Sequence, residues 1–339
     1  MAFVTGGTGL VGARLIFDLV EKGESVVALK RKQTPVSKFE FLVSFYGSSL
    51  EKINEKVTWV DGDINDYDSL LAVIPENSSV FHCAAEVSFH PGNAKKILQS
   101  NVEGTANVVN ACLVKNVAKL CHVSSIGALG GKINGPIINE DTPWSPPGKS
   151  SYSLSKYYSE LEVWRGTAEG LNAVIVNPAV ILGPGDWQKG SPSLFHLAAK
   201  GQPFYTLGST GYVDVRDVTR AMIYLMDSHI QSARFVLCAE TLTYKELFTK
   251  IAHSLQVPPP RIYANRFLTS LAWRAEWVTS KLLDKEPKMT RQTHRVSHIT
   301  DVFNGNKITE NNTFAYTPIE ETLFFIAQLY QTSNQSVNF

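Results

Sequence analysis

A glycine-rich stretch, Thr5-Gly6-Gly7-Thr8-Gly9-Leu10-Val11-Gly12, decides the fold of this chain. The apolar run Ala2-Phe3-Val4 precedes it and predicts a strand, while apolar residues at helical spacing follow it as far as Val20. The order is therefore strand, glycine turn and helix. Glycine has no Cβ and tolerates positive φ, so the N–H groups of such a turn can approach a phosphate at the positive end of the helix dipole.

Gly12 lies inside the predicted helix, where a side chain would hold the helix away from the strand. Tight turns also use glycine for steric reasons alone, and that is the competing explanation. Because a strand and a helix flank the glycines, the stretch favours a dinucleotide-binding site over a purely structural turn.

Composition indicates a globular protein with enough apolar residues for a large core, since 44% of its 339 residues are hydrophobic. The 32 basic and 31 acidic residues give a net charge of +1, so we expect neither nucleic acid nor a membrane as a partner. The sequence has no CxxC pair and no HExxH motif, so no metal site is expected. It has no run of about 18 apolar residues and no room for a signal peptide before its first strand, which predicts a cytoplasmic protein.

The cofactor preference depends on the end of the second predicted strand, residues 25–29. An acidic residue there would bind the ribose hydroxyls of NAD, whereas a cation would pair with the 2′-phosphate of NADP. The sequence has Lys30-Arg31-Lys32 and no acid nearby, which favours NADP through Arg31, with NAD as the alternative. The competing interpretation is that the basic triplet forms a solvated loop.

The third predicted strand, residues 57–60, leads to acidic residues at the carboxyl edge of the sheet. The carboxylate of Asp63 can accept a hydrogen bond from an adenine amino group there. Capping of the helix predicted at 67–73 by Asp66 or Asp68 explains the acids equally well and can coexist with that role.

Two further strands complete the pattern. The strand that begins at residue 79 runs into Ala84-Ala85, whose small side chains let the backbone pass close to a cofactor. A helix over 93–115 carries Asn101, and the strand 120–123 ends at Ser124-Ser125. Five strands alternating with helices predict an α/β fold, a Rossmann-type doubly wound parallel sheet, with ligands at the carboxyl ends of the strands.

Tyr152 and Lys156 lie four residues apart in the next predicted helix, so their side chains emerge on one face. An ammonium near a phenol lowers the pKa of the phenol, which lets the tyrosine exchange a proton near neutral pH. A serine from the preceding strand can hold the substrate oxygen. The Tyr-x-x-x-Lys spacing alone is common in helices, but with the glycine turn and Ser124-Ser125 it indicates a catalytic site.

Together these motifs resemble the extended short-chain dehydrogenase/reductase family, also described as the NAD(P)-dependent epimerase/dehydratase group. The resemblance extends to about residue 230 in order and spacing. The matching segments are residues 5–12, Asp63-Ile64, residues 101–105, Ser124-Ser125, residues 152–156 and Asn177-Pro178.

The resemblance implies a catalytic site of Ser125, Tyr152 and Lys156, with Ser124 as the substitute for Ser125. In this family the tyrosine is the acid or base and the lysine also binds the nicotinamide ribose, and Asn101 would support a proton relay. The motifs and the resemblance together assign cofactor contacts to Thr5, Gly6, Gly7, Thr8, Gly9, Leu10, Val11, Gly12, Arg31, Asp63, Ile64, Ala84, Ala85, Tyr152, Lys156, Asn177, Pro178 and Val180.

Two details favour reduction within the family. Sugar dehydratases carry an Asp-Glu pair after the catalytic hydroxyl, but this chain has Ile126-Gly127. Residues 174–184 resemble the corresponding stretch of dihydroflavonol-reductase-like enzymes more than that of sugar epimerases. The resemblance therefore implies NADP-dependent reduction of a small carbonyl substrate, an aldehyde or ketone, or oxidation of the corresponding alcohol.

Two rival functions stay open. A nucleotide-sugar epimerase of the same fold would need basic groups for the diphosphate, and Arg216 and Arg261 are the candidates. A non-catalytic NADP-binding sensor or scaffold would give the serine, tyrosine and lysine no catalytic role. A homodimer formed through paired helices is common among relatives and is a further expectation.

The expected domain organisation is discontinuous. The NADP-binding domain comprises residues 1–182 and about 205–238. The smaller substrate-binding lobe comprises about 183–204 and 239–330, and residues 331–339 form a tail that is expected to be disordered from Thr332 onwards.

Two segments outside the sheet have predicted roles. The Gly- and Pro-rich loop at 127–150 is expected at the rim of the site. The apolar helix predicted at 265–284 is expected to pack within the lobe, because Glu276 and Asp284 supply acids and no lysine-rich face is present. Binding of this helix to a surface is the alternative.

Overall fold

The computed structural model of the protein describes residues 1–87, 91–131, 137–145, 150–283, 290–310 and 314–335. Strands and helices alternate through the first half of the chain, as the apolar periodicity predicts. In chain order the elements are β1 (Ala2–Thr5), α1 (Leu10–Glu21), β2 (Val26–Lys30), α2 (Ser37–Val43), α3 (Leu50–Lys56), β3 (Val57–Asp61), α4 (Tyr67–Val73), β4 (Ser79–His82), α5 (Ala94–Val114), β5 (Lys119–Val123), β6 (Ile137–Ile138), α6 (Ser151–Ala168), β7 (Ala173–Pro178), β8 (Val180–Leu182), α7 (Ser193–Ala199), β9 (Phe204–Tyr205), β10 (Ser209–Asp214), α8 (Val215–Asp227), β11 (Ala233–Leu237), β12 (Glu240–Thr243), α9 (Tyr244–Leu255), β13 (Ile262–Tyr263), α10 (Arg266–Leu283), α11 (Arg291–Val296), β14 (Val302–Phe303) and α12 (Ile319–Gln335).

Seven strands form one sheet in the order β3-β2-β1-β4-β5-β7-β11. Every neighbouring pair in this sheet runs parallel. From the central strand β1, the strands β2 and β3 follow on one side, and β4, β5, β7 and β11 follow on the other. The strand order therefore reverses between β1 and β4. This topology confirms the predicted doubly wound fold, and it leaves a crevice at the carboxyl ends of β1 and β4.

Helices cover both faces of the sheet, and each face has its own apolar core. Leu15 of α1 and Met222 of α8 are fully buried on one face. Val108 of α5 and Val163 of α6 are fully buried on the other. Burial of each such side chain contributes about 1.5–3 kcal/mol, so these two layers fix the strands whose ends form the crevice.

The turn between β1 and α1 depends on the absence of two Cβ atoms. A Cβ at Gly12 would lie 2.3 Å from the carbonyl oxygen of Gly6, and one at Gly6 would lie 2.6 Å from the backbone nitrogen of Ala84. Gly6 also has a φ of +72°, which residues with a side chain rarely adopt. The close approach predicted at Gly12 is therefore present. A second close approach, between Gly6 and Ala84, places the turn against the segment that follows β4.

A second group of elements forms a smaller sheet with a separate core. In this sheet β10 pairs antiparallel with β12 and parallel with β8. Phe195 of α7, Leu247 of α9 and Leu323 of α12 are fully buried beside it. Strand β10 belongs to this smaller sheet, whereas β11 forms the edge of the large one. The residue boundaries given for the two domains stay a prediction.

The C-terminal segment differs from the predicted disordered tail, because α12 continues to Gln335. Trp187 holds the end of this helix, since its indole Nε1 donates to Ser333 Oγ at 2.9 Å. The expectation of disorder is therefore wrong for residues 332–335, and residues 336–339 lie outside the described residues.

Helix α10 also differs from the prediction that it packs within the lobe. Its large apolar side chains are exposed, at 68% for Phe267 and 51% for both Leu271 and Trp277. The reason is that α10 meets α11 through its polar side chains and leaves the apolar face outside. Asp284, the predicted end of the helix, and the parts of the rim loop at 132–136 and 146–149 lie outside the described residues.

We expect Gly12→Ala to lower the free energy of unfolding by about 1–3 kcal/mol, because the new Cβ meets the backbone of Gly6 rather than a movable side chain. Urea denaturation measures the change. Gly131→Ala is the matched control, since a Cβ there meets no atom within 4 Å. The control should stay within about 0.5 kcal/mol of wild type, and equal losses in the two variants would contradict the close approach.

Candidate active site

The carboxyl ends of β1 and β4 are joined by hydrogen bonds around Thr5, which is fully buried. Its carbonyl oxygen accepts from Cys83 N at 3.3 Å, and its Oγ1 accepts from Ala84 N at 3.2 Å. The same hydroxyl bonds His82 Nδ1 at 2.8 Å. Ala84 and Ala85 are partly exposed directly after β4. Small side chains therefore lie beside the crevice where the strand order reverses.

The glycine turn presents backbone groups at this crevice. Gly9 is the exposed N-cap of α1, and no side chain caps the helix. The first N–H groups of an α-helix have no acceptor within the helix and carry the positive end of its dipole. These groups, beside a Gly6 position that excludes a Cβ, fit a pyrophosphate. Of the other contacts predicted in this stretch, Thr8, Leu10 and Val11 are partly exposed and Gly7 is buried.

Three cations follow one another at the end of β2. Lys30 Nζ lies 2.5 Å from Asp61 Oδ1 at the end of β3, and these two residues are paired in register. Arg31 and Lys32 are exposed. Asp61, the carboxylate beside the end of β2, is thus paired with Lys30. The exposed side chains of Arg31 and Lys32 therefore make the surface at the end of β2 basic.

The acids after β3 form a local turn. Asp63 Oδ1 accepts from both the backbone and the side-chain nitrogen of Asn65 at 3.0 Å. Asp66 Oδ1 accepts from Ser69 N at 3.1 Å and caps α4. The capping alternative is therefore present, and Asp63 remains partly exposed at the sheet edge, with the backbone oxygen of Ile64 bonded to Asn107.

Ser125, Tyr152 and Lys156 come together between β5 and α6. Ser125 Oγ accepts from Gly127 N at 3.0 Å, and the hydroxyls of Ser125 and Tyr152 are hydrogen-bonded. Lys156 is buried one turn along the helix, and its Nζ donates to the carbonyl oxygen of Val123 at 2.8 Å. The structure thus places the serine chosen from the sequence beside the tyrosine.

Burial shifts the pKa values of Tyr152 and Lys156 in opposite directions. It raises the pKa of the Tyr152 phenol, and the hydrogen bond from Ser125 lowers it by a smaller amount. It lowers the pKa of Lys156 to about 8, since a buried ammonium loses its hydration. The net shift of the phenol pKa is therefore upward rather than downward as expected, because burial is the largest influence on it.

Asn101 is buried and holds the segment after β4 against α6. Its Nδ2 donates to Ser155 Oγ and to the carbonyl oxygen of Glu86, both at 3.0 Å, and its Oδ1 accepts from Glu86 N at 2.8 Å. Its carbonyl oxygen accepts from Ser159 Oγ at 3.0 Å. The bonds of Asn101 support the helix that carries Tyr152, and its part in a proton relay stays a prediction.

A buried carboxylate that the sequence interpretation missed lies behind the serine. Glu160 is 1% exposed, and it accepts from Ser124 Oγ at 2.5 Å and from Asn177 Nδ2. Asn177 Nδ2 also donates to the carbonyl oxygen of Ser125 at 3.1 Å. Arg234 Nη1 of β11 lies 3.3 Å from the carboxylate. Burial raises the pKa of Glu160, while Ser124, Arg234 and Asn177 lower it.

This network divides the predicted residues into two groups. Ser124 is bonded to Glu160, which leaves Ser125 as the hydroxyl beside Tyr152. Asn177 is fully buried with its Nδ2 used inside the protein, whereas Val180 beyond Pro178 is partly exposed. A signal for Glu160 was present, since it follows Lys156 by one helical turn and must share its inward face.

Comparison with known proteins agrees with this architecture. Residues 2–238 match the family described as the NAD dependent epimerase/dehydratase family. The chain belongs to this family. A putative dihydroflavonol 4-reductase of Synechocystis sp. is 29% identical over 290 residues, which cover 83% of this chain and 79% of that protein.

Two further relatives cover most of the chain. Cinnamoyl-CoA reductase 1 of Petunia hybrida is 29% identical over 270 residues, which cover 75% of this chain and 78% of that protein. The crystal structure of gox2253 matches at a TM-score of 0.78 and 27% identity over 98% of each chain. These matches confirm the resemblance to extended, dihydroflavonol-reductase-like dehydrogenases. The protein is an NAD(P)-dependent oxidoreductase.

Two kinds of feature are absent from the described residues. No helix there is long and apolar enough to cross a membrane. No group of three or more His, Cys, Asp or Glu side chains there is arranged to hold a metal ion.

We expect Glu160→Gln to lower the free energy of unfolding by about 1–3 kcal/mol, because the buried charged acceptor of Ser124, Asn177 and the partly exposed Arg234 becomes a neutral amide. Glu162→Gln on the same helix is the control. Its salt bridge to Arg165 is solvent-accessible and contributes at most about 1 kcal/mol. Urea denaturation measures both variants, and equal losses would contradict a special role for the buried carboxylate.

Lys156→Met should remove a pH dependence of stability. Between the folded pKa of about 8 and the ordinary value of 10.5, the unfolded chain binds a proton that the folded chain does not, so wild-type stability rises with pH there. The advantage of the variant over wild type should shrink by about 3 kcal/mol across this window. Denaturation at several pH values measures it, and a constant difference would show that the lysine is not desolvated.

Proposed function

We propose that the protein reduces the carbonyl group of a small aldehyde or ketone with NADPH. The observation that carries this proposal is the hydrogen-bonded pair of Ser125 and Tyr152 with the buried Lys156 one turn away. Reduction of a carbonyl needs a donor for the oxygen and a proton to complete the alcohol. The hydroxyls of Ser125 and Tyr152 can supply the hydrogen-bond donor and the proton at one point beside the crevice.

The chain's own residues have distinct roles in this reaction. When bound, the dinucleotide supplies the hydride for the carbonyl carbon. Ser125 donates a hydrogen bond to the carbonyl oxygen, and Tyr152 transfers its phenolic proton to that oxygen. Burial keeps the phenol protonated at neutral pH, which suits an acid. Lys156 carries its positive charge below its pKa of about 8 and stabilises the phenolate that remains.

The preference for NADP is supported by the basic end of β2. Lys30 is paired with Asp61, and Arg31 and Lys32 are exposed next to that pair. Two nearby cations stabilise a bound 2′-phosphate, whereas the ribose hydroxyls of NAD are bound by a carboxylate that accepts their hydrogen bonds. We assign the 2′-phosphate to Arg31, the adenine to Asp63, and the carboxamide to the backbone from Pro178 to Val180.

The epimerase alternative has weaker support. Arg216, one of the two cations considered for a sugar diphosphate, is bonded through Nε and Nη2 to Asp214 and lies over the ring of Phe325 at 4.5 Å. Arg261 is exposed before β13. The named reductases among the relatives also favour reduction over epimerisation.

Cofactor titration tests the NADP assignment. Arg31→Ala should weaken NADPH binding by about tenfold or more, because a charge-assisted contact contributes about 1.5–3 kcal/mol, and it should leave NADH binding unchanged. Lys38→Ala removes another exposed cation at the start of α2 and is the control. Preference of the wild type for NADH would refute the assignment.

Turnover tests the reaction. In assays of NADPH oxidation over a panel of aldehydes and ketones, Tyr152→Phe should lower kcat by about a hundredfold or more while cofactor binding persists. Interconversion of nucleotide sugars without carbonyl reduction would favour the epimerase. Tight NADPH binding with neither activity would favour the sensor.

A further inference from the structure

Helix α10 turns polar side chains inwards and apolar side chains outwards. Thr269 is buried, and its hydroxyl bonds His294 Nδ1 at 2.9 Å and His298 Nε2 at 2.8 Å. These bonds join α10 to α11 and to the turn after it. A helix on the surface of a water-soluble protein normally has the reverse arrangement. The exposed large apolar residues of α10 are Phe267, Leu268, Leu271, Trp277 and Val278.

Three of these residues define a narrow stripe along the helix. At about 100° per residue, Phe267, Leu271 and Val278 fall within about 40° of one another around the axis. Thr269 and Glu276 lie on the opposite side, where the helix meets the lobe. The stripe spans three turns, with Leu268 at its border and the exposed Arg274 on the same side of the helix between Leu271 and Val278.

The apolar surface continues onto the two-stranded pair that precedes α10. Phe204 of β9 and Ile262 and Tyr263 of β13 are exposed as well. Of 21 large apolar side chains exposed among the described residues, twelve lie between positions 204 and 302. Exposed apolar side chains that are concentrated in one segment are typical of an interaction surface.

The same segment is basic. Between positions 257 and 300 the sequence has eight Lys or Arg residues and three Asp or Glu residues, a net charge of +5, although the whole chain carries +1. The remainder of the chain is therefore acidic, at −4. Arg261, Arg266, Arg274 and Arg291 are exposed in this segment.

We propose that this lobe docks on the surface of an anionic lipid bilayer, with the apolar stripe of α10 among the acyl chains and the arginines at the headgroup phosphates. An apolar stripe bordered by cations matches both layers of such a membrane. A second copy of the chain is a poorer partner, because a symmetric contact would bring two segments of +5 together. The docking is peripheral, since it needs no membrane-spanning helix.

Vesicle flotation of the purified full-length protein tests the proposal without cofactor or substrate, so its outcome is independent of the reaction. The protein should float with vesicles of phosphatidylcholine and phosphatidylserine, bind far less to phosphatidylcholine alone, and dissociate in high salt. Combining Phe267→Ser with Leu271→Ser should lower the affinity by about tenfold or more, since two large apolar side chains no longer insert. Phe324→Ser on α12, exposed at 56%, is the matched control.

A second variant keeps the test decisive if the serine variants unfold. Arg261→Gln combined with Arg266→Gln leaves the apolar stripe intact and should weaken binding to the anionic vesicles alone. Absence of flotation with anionic vesicles, or equal losses in the stripe variants and Phe324→Ser, would overturn the proposal. Self-association in sedimentation experiments that the stripe variants abolish would instead assign the surface to a second copy.

Discussion

The backbone of Gly6 passes so close to the neighbouring strand and to its own helix that no side chain fits at either Gly6 or Gly12. This steric constraint fixes the N-terminus of α1 beside the carboxyl ends of β1 and β4. The parallel order of the other strands then brings Arg31, Asp63 and Ser125 to the same edge of the sheet. The position of the site thus depends on two close backbone approaches, one between Gly6 and Gly12 and one between Gly6 and Ala84.

Burial sets the electrostatics of the groups proposed to be catalytic. It opposes the charged forms of Tyr152, Lys156 and Glu160, raising the pKa of the phenol and of the carboxyl group and lowering that of the ammonium. Hydrogen bonds within the protein replace the missing water: Lys156 donates to the carbonyl oxygen of Val123, and Ser124 and Asn177 donate to Glu160. Groups that are already oriented need little rearrangement when charge develops during reaction.

The sequence was sufficient for the parts of the structure that depend on local pattern. Strand and helix alternation predicts the sheet, and a spacing of four residues places Tyr152 and Lys156 on one face. The partnership of Glu160 with Arg234 joins residues far apart in sequence, and the same is true of Trp187 with Ser333 at the end of α12. The apolar periodicity of α10 identifies its apolar face but not whether that face meets protein or solvent. A near-neutral total charge also conceals a basic segment, residues 257–300, in a chain that is acidic elsewhere.

The cation that neutralises Glu160 comes from β11, the last strand to join the large sheet. During synthesis the ribosome releases Ser125, Tyr152 and Glu160 well before Arg234. Until that residue emerges, the carboxylate behind Ser125 lacks its salt-bridge partner, and burying it is costly. Completion of this ion pair therefore depends on late translation, and a nascent chain that stops short of β11 contains Ser125, Tyr152 and Glu160 without Arg234.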